Sequence, residues 1–104
     1  MNVVSPVMPD VQARLIECAR ESAGLMRALS HEGRLLICCH LLNGERSVGE
    51  LESLLRMRQS AVSQQLARLR QDGIVHARRD GKTIWYSLAC PRAKTLMQTI
   101  HDLF

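Results

Sequence analysis

Aromatic side chains are almost missing from this chain, with one Trp, one Tyr and one Phe in 104 residues. Proteins that grip single-stranded nucleic acid stack bases on aromatic rings. The scarcity argues against that class and leaves a duplex as the better-suited nucleic-acid partner. It also hands the core to aliphatic residues and Met, which suits helix packing. No apolar run approaches the roughly eighteen residues of a membrane span, so no membrane partner is expected. Met1 to Asp10 has neither a basic n-region nor an apolar h-region, which predicts no secretory leader and a cytoplasmic protein. Cys18, Cys38, Cys39 and Cys90 show no Cys-x-x-Cys spacing. They are expected as reduced thiols, with no structural metal and no cofactor. No nucleophile–base pairing, carboxylate pair or phosphate-cradling glycine loop is visible, so an enzyme is not expected.

The most informative absence is local. Between Met57 and Arg70 there is no Asp or Glu. Read as a helix, this stretch places Val62, Leu66 and Leu69 at i, i+4 and i+7, an apolar stripe that must pack inward. Arg58, Gln59, Ser60, Ser63, Gln64, Arg68 and Arg70 point elsewhere. Glutamine amides pair bidentately with adenine, and guanidiniums suit guanine or phosphate. An ordinary solvated helix would mix Glu with Lys. A face without carboxylates predicts a helix laid against an anion.

Asp72-Gly73 is a helix stop with glycine at the C′ position. Ile74 to Arg79 then reads as a strand, Asp80-Gly81 as a tight type I′ turn, and Lys82 to Leu88 as the returning strand. The hairpin tip therefore carries Arg78, Arg79 and Lys82. Residues 56–82 hold seven Arg or Lys against two Asp, a net of +5, whereas the whole chain is +4 and the remainder therefore −1. Charge confined to one segment marks a polyanionic partner better than overall basicity does.

Around this centre the chain reads as one small domain. Residues 1–9 form a tail expected to fray. Val11 to Leu29 is a long helix capped by Asp10, with Gly24 weakening its middle. Ser30 caps a second helix, His31 to Leu42, whose buried stripe is Leu35, Cys39 and Leu42. Ser47-Val48-Gly49-Glu50 fits a capping box opening a short third helix. Arg56-Met57 is the corner before the basic helix. Pro91 sits in the first turn of a last helix whose apolar side is Leu96, Met97, Ile100, Leu103 and Phe104. The predicted fold is mainly α with a small β-hairpin. Four helices, two strands and a closing helix make a winged helix-turn-helix over residues 10–104. Apolar helices at both ends exceed what one core requires, and predict a homodimer through the first and last helices.

The segments Ala28 to Leu36, Ser47 to Leu51, Gln59 to Leu69 and Asp80 to Leu88 resemble the ArsR/SmtB family of bacterial repressors. The resemblance runs from about residue 12 to residue 104 in uninterrupted order. It implies a winged helix-turn-helix homodimer that binds double-stranded operator DNA, typically an inverted repeat, until an inducer lowers its affinity. Carried over residue by residue, Gln59, Ser60, Ser63 and Gln64 would face bases. Arg58, Arg68, Arg78, Arg79 and Lys82 would contact phosphate or the minor groove. Gln65 stands where many relatives have His.

Metal-sensing relatives carry Cys-x-Cys on the third helix or spaced Asp, His and Glu on the last. Here the third helix has neither Cys nor His, and His101-Asp102 are merely adjacent, so neither metal site is expected. Leu36 to Leu51 is most similar to the dithiol, persulfide- or redox-responsive subgroup, of the biofilm growth-associated repressor and sulfide:quinone reductase repressor type. That likeness implies a thiol switch at Cys39 answering to a small thiol-reactive inducer. The subgroup's second cysteine would fall one residue past Phe104. Cys38 is expected as an inert small hydrophobe, and Cys18 and Cys90 are the weaker candidates. The alternative is a repressor of the same fold responding to a thiophilic metal or metalloid at these cysteines. A winged module that binds proteins rather than DNA is a third reading.

Overall fold

The computed structural model describes residues 9–104. The first element, α1 (Pro9–Leu29), is followed by α2 (Glu32–His40), a two-residue strand β1 (Arg46–Ser47), α3 (Val48–Leu55) and α4 (Gln59–Gln71). The hairpin strands β2 (Val75–Asp80) and β3 (Thr83–Leu88) and the helix α5 (Pro91–Leu103) complete the chain. The architecture is the expected winged helix-turn-helix, with one strand more than the sequence suggested. β1 pairs antiparallel with β3 through Arg46–Tyr86 and Ser47–Trp85, giving a three-stranded sheet in the order β1-β3-β2. Two residues are too few for an alternating pattern to announce them.

One core holds these elements together. Ile37, Cys38, Leu51, Val62, Leu66, Leu69 and Met97 are wholly enclosed, so α2, α3, α4 and α5 meet on a single cluster that Val75, Tyr86 and Leu88 close from the sheet. α2 turns Ile37 and Cys38 inward, joined by Leu41 just past its end, rather than the expected Leu35, Cys39 and Leu42, which are only partly covered. Leu35 to Cys39 is apolar at every position, so periodicity could not choose the face.

Local chemistry explains the boundaries. The Ser47 hydroxyl accepts from the Glu50 N–H (3.2 Å) while the Glu50 carboxylate accepts from the Ser47 N–H (3.0 Å), the complete capping box. Ser47→Ala is expected to cost about 1 kcal/mol of stability, measurable as a lower urea midpoint. α4 ends in a Schellman motif: Gly73 takes φ +74°, its N–H donates to the Arg70 carbonyl, and the Ile74 N–H reaches the Leu69 carbonyl.

Four expectations shift. The cap of α2 is His31, whose Nδ1 accepts from the Gly33 N–H (3.0 Å), because the Ser30 hydroxyl instead donates to the Arg27 carbonyl. α2 ends at His40, two residues before the expected Leu42. The hairpin loop is Gly81-Lys82, since Asp80 pairs with Thr83. Gly81 alone has positive φ, which is the II′ pattern rather than I′. Asp10 lies inside the first turn of α1, not before it, and Pro9 is already helical. The rest of the expected frayed tail lies outside the described residues.

α1 leaves the body. Every side chain from Asp10 to Glu21 is exposed; towards the end of the helix Ala28 and Leu29 enter the core and Leu25 packs against it. The radius of gyration is accordingly 17.1 Å, against about 13 Å for a compact chain of this length. Arg92 at the start of α5 ion-pairs with Glu21 and ties the middle of α1 back to the body.

Candidate nucleic-acid interface

α4 is positioned from behind. Its stripe Val62, Leu66 and Leu69 is fully enclosed by α2, α3 and the sheet, which leaves the opposite side free. At 100° per residue, Ser60, Gln64 and Ala67 lie opposite that stripe, with Ser63 and Arg68 at the sides and Gln59 nearer the stripe. All six are exposed. Ala67 adds a small side chain at the centre of the face, which permits close approach. Arg58 caps the helix without a side-chain hydrogen bond, and the first turn holds no acidic residue. Its free N–H groups and positive dipole end therefore face outward, as suits an oxyanion.

Gln65 is separate from this face. It is half-buried, and its side-chain amide lies 3.5 Å from Nε2 of His31, so it belongs to the α2–α4 contact. The corner before α4 is closed by Arg56, which adopts a left-handed backbone at φ 54° and donates its N–H to the Glu52 carbonyl. L side chains seldom take that conformation. The stiff corner fixes α4 against α3.

The basic side chains divide into two sets. Arg68 Nε donates to Asp72 Oδ2 at 3.1 Å. Arg78 Nε and Nη2 donate to the two Glu45 oxygens at 3.0 and 2.8 Å, with Asp80 at 4.0 Å. The hydrogen bond from Arg78 holds the Glu45 carboxyl below its ordinary range, and the same bond pushes the Arg78 guanidinium up. Among the described residues Arg58, Arg70, Arg79 and Lys82 make no ion pair. Sequence reasoning found every one of these cations but not Glu45. That residue sits in a loop, where no periodicity marks it.

The four thiols are free and differ sharply. Burial, and secondarily the neighbouring Cys39, push the Cys38 thiol up to about 12, so it stays protonated as a core group. Cys39 is half-buried. Cys18, exposed on α1, and Cys90, the N-cap of α5, both line an open cleft of about 1040 Å³ that Glu21 and Arg92 also border. Among the described residues no group of three or more His, Cys, Asp or Glu could hold a metal ion, and no helix is long and apolar enough to cross a membrane.

Residues 31–77, which span α2, α3, α4 and the start of the wing, match the family described as "Bacterial regulatory protein, arsR family". The transcriptional activator HlyU of Vibrio cholerae is 40% identical over 95% of this chain and 94% of its own length. The chain belongs to the arsR family. The biofilm growth-associated repressor of Agrobacterium fabrum is 46% identical over 83% of this chain and 74% of its own. The crystal structure of the repressor BigR from Xylella fastidiosa superimposes with a TM-score of 0.84 at 41% identity, covering 89% of this chain and 95% of that one. These arsR-family relatives are transcription regulators, not enzymes, and α3 and α4 with the β2–β3 hairpin are the helix-turn-helix and wing of a DNA-binding regulator.

Proposed function

We propose that the chain is a homodimeric repressor that reads double-stranded operator DNA and lets go when a small thiol-reactive species modifies Cys39. The observation that carries the DNA reading is α4 itself, whose buried stripe turns an exposed, carboxylate-free face outward. Gln59, Ser60, Ser63 and Gln64 would read base edges in the major groove. Arg58, Arg68, Arg79 and Lys82 would meet phosphates or the minor groove. The sign of regulation follows the biofilm growth-associated repressors. The whole of residues 10–104 then acts as one cytoplasmic DNA-binding and dimerisation unit.

Uncovered apolar surface supports a second copy. Val11, Leu15, Ile16 and Met26 of α1, Leu103 at the end of α5 and Phe104 after it are all exposed, Leu15 by 57% and Phe104 by 98%. Monomeric proteins rarely leave such a set uncovered. A two-fold dimer covers it and sets two recognition helices about 34 Å apart, which predicts an inverted-repeat operator.

For the switch, Cys39 is the thiol of α2 that remains partly accessible, whereas Cys38 is a protonated core group. Cys18 and Cys90, facing one cleft, are the next candidates for a second thiol. The test is treatment with inorganic polysulfide, followed by intact mass and duplex titration. The native chain is expected to gain sulfur at Cys39 and lose duplex affinity, with Cys39→Ser insensitive. Unchanged mass and unchanged binding would eliminate thiol release while leaving DNA binding standing.

A further inference from the structure

Glu45 and Arg78 meet across the wing. In the sheet register Arg78 stands opposite Trp85, and Ser47 stands on the other side of Trp85. Side chains alternate along a strand. Arg78 therefore shares the outer face of the sheet with Trp85, Ser87 and His76, while Arg79 shares the helix-packed face with Val75 and Tyr86. Glu45, two residues before Ser47, lies on that same outer face. Its bidentate pair with Arg78 runs diagonally over the central strand β3 and joins the segment entering β1 to the far strand β2.

The Glu45 end is anchored. The next residue, Arg46, donates from Nε to the His40 carbonyl at the end of α2 (3.4 Å), ion-pairs with Glu50 of α3 (3.8 Å) and is backbone-paired to Tyr86. A carboxylate mounted on so fixed a segment can hold a strand in place. The wing has few other means of being held, because from Arg79 to Ile84 every residue is exposed.

We infer that Glu45 is a positioning residue for the wing and that Arg78 is its brace rather than a DNA contact. The inference rests on the proposed DNA reading for its purpose but not for its geometry. Arg79 and Lys82 are then the cations the wing brings to the duplex. Glu45 already holds the bidentate Nε/Nη2 edge of Arg78 and Asp80 lies 4.0 Å from Nη1, so a phosphate would have to displace Glu45 to gain that edge.

Two readouts test this. In the free protein, amide exchange of residues 77–84 is expected to speed up in Glu45→Gln and Arg78→Gln but not in Arg79→Ala. On a mixed-sequence duplex, either brace variant should weaken binding roughly two- to fivefold, the scale of an exposed ion pair. The salt slope should stay the same, whereas Arg79→Ala should flatten it by about 0.9 per lost phosphate contact. The charge swap Glu45→Arg with Arg78→Glu should recover most of the affinity that either half of the swap loses. Unchanged wing exchange in Glu45→Gln overturns the inference. So does a swapped protein, folded by thermal melt, that binds duplex no better than Arg78→Glu alone, because a carboxylate cannot replace a phosphate-binding arginine. Failure of the native chain to bind any duplex would instead strike the DNA reading, and the exchange result would still decide the brace.

Discussion

Leu15→Glu together with Met26→Glu is expected to halve the sedimentation mass and weaken operator binding by roughly 10²–10⁴-fold, the advantage that linking two half-site contacts confers. Both residues sit on the exposed side of α1, Leu15 at 57% and Met26 at 60%, so neither change removes a core contact within one chain. At 100° per residue they lie near one another, while Arg14, Cys18, Glu21 and Leu25 lie on the side that faces the chain's own body. The circular dichroism spectrum and the melting of the core should therefore change little. Analytical ultracentrifugation checks the mass and duplex titration checks the affinity. A doubly substituted chain that still sediments as a dimer would show that other surfaces join the protomers.

The second large effect concerns sequence choice. Gln64→Ala is expected to reduce discrimination between the operator and random duplex by about 1–3 kcal/mol per half-site, the worth of one good bidentate base contact. Ser63→Ala should act in the same direction and less strongly, since a hydroxyl makes a single bond. Lys82→Ala, at the tip of the wing, should weaken operator and random duplex alike, because phosphate contacts carry no sequence information. Paired titrations on both duplexes separate the two behaviours. Equal losses on both for Gln64→Ala would remove that residue from base reading.

These expectations rest on features that the sequence displayed unequally. The α4 stripe was legible because Val62, Leu66 and Leu69 are separated by polar residues, so only one side could turn inward. The stop at Gly73 and the capping box at Ser47 were legible for a related reason: each is a short-range device whose partners lie within five residues. The cap of α2 was harder, because Ser30 and His31 are both able to accept an N–H. The choice went to His31 only because the Ser30 hydroxyl was drawn back to the Arg27 carbonyl. On α2 a continuous apolar run hid which side is buried, and Cys38 and Cys39 exchanged places as core and margin.

What the sequence concealed most fully was long-range. Glu45 and Arg78 are 33 residues apart, and their meeting depends on β1, a strand of two residues. Nothing local singles out either one from the other charged residues near them. The exposed, carboxylate-free face of α4 was recoverable from periodicity and composition, but the way the wing is held beside it emerged only from the sheet register.

The central claim is that two copies of α4 read a duplex together. Selection from a pool of random duplexes with the full chain tests it most directly, because the protein itself picks the operator. The expected outcome is enrichment of an inverted repeat whose half-sites are centred about one helical turn, or a multiple of it, apart. A pool that stays random after repeated rounds, or that converges on a single unsymmetrical half-site, would contradict it.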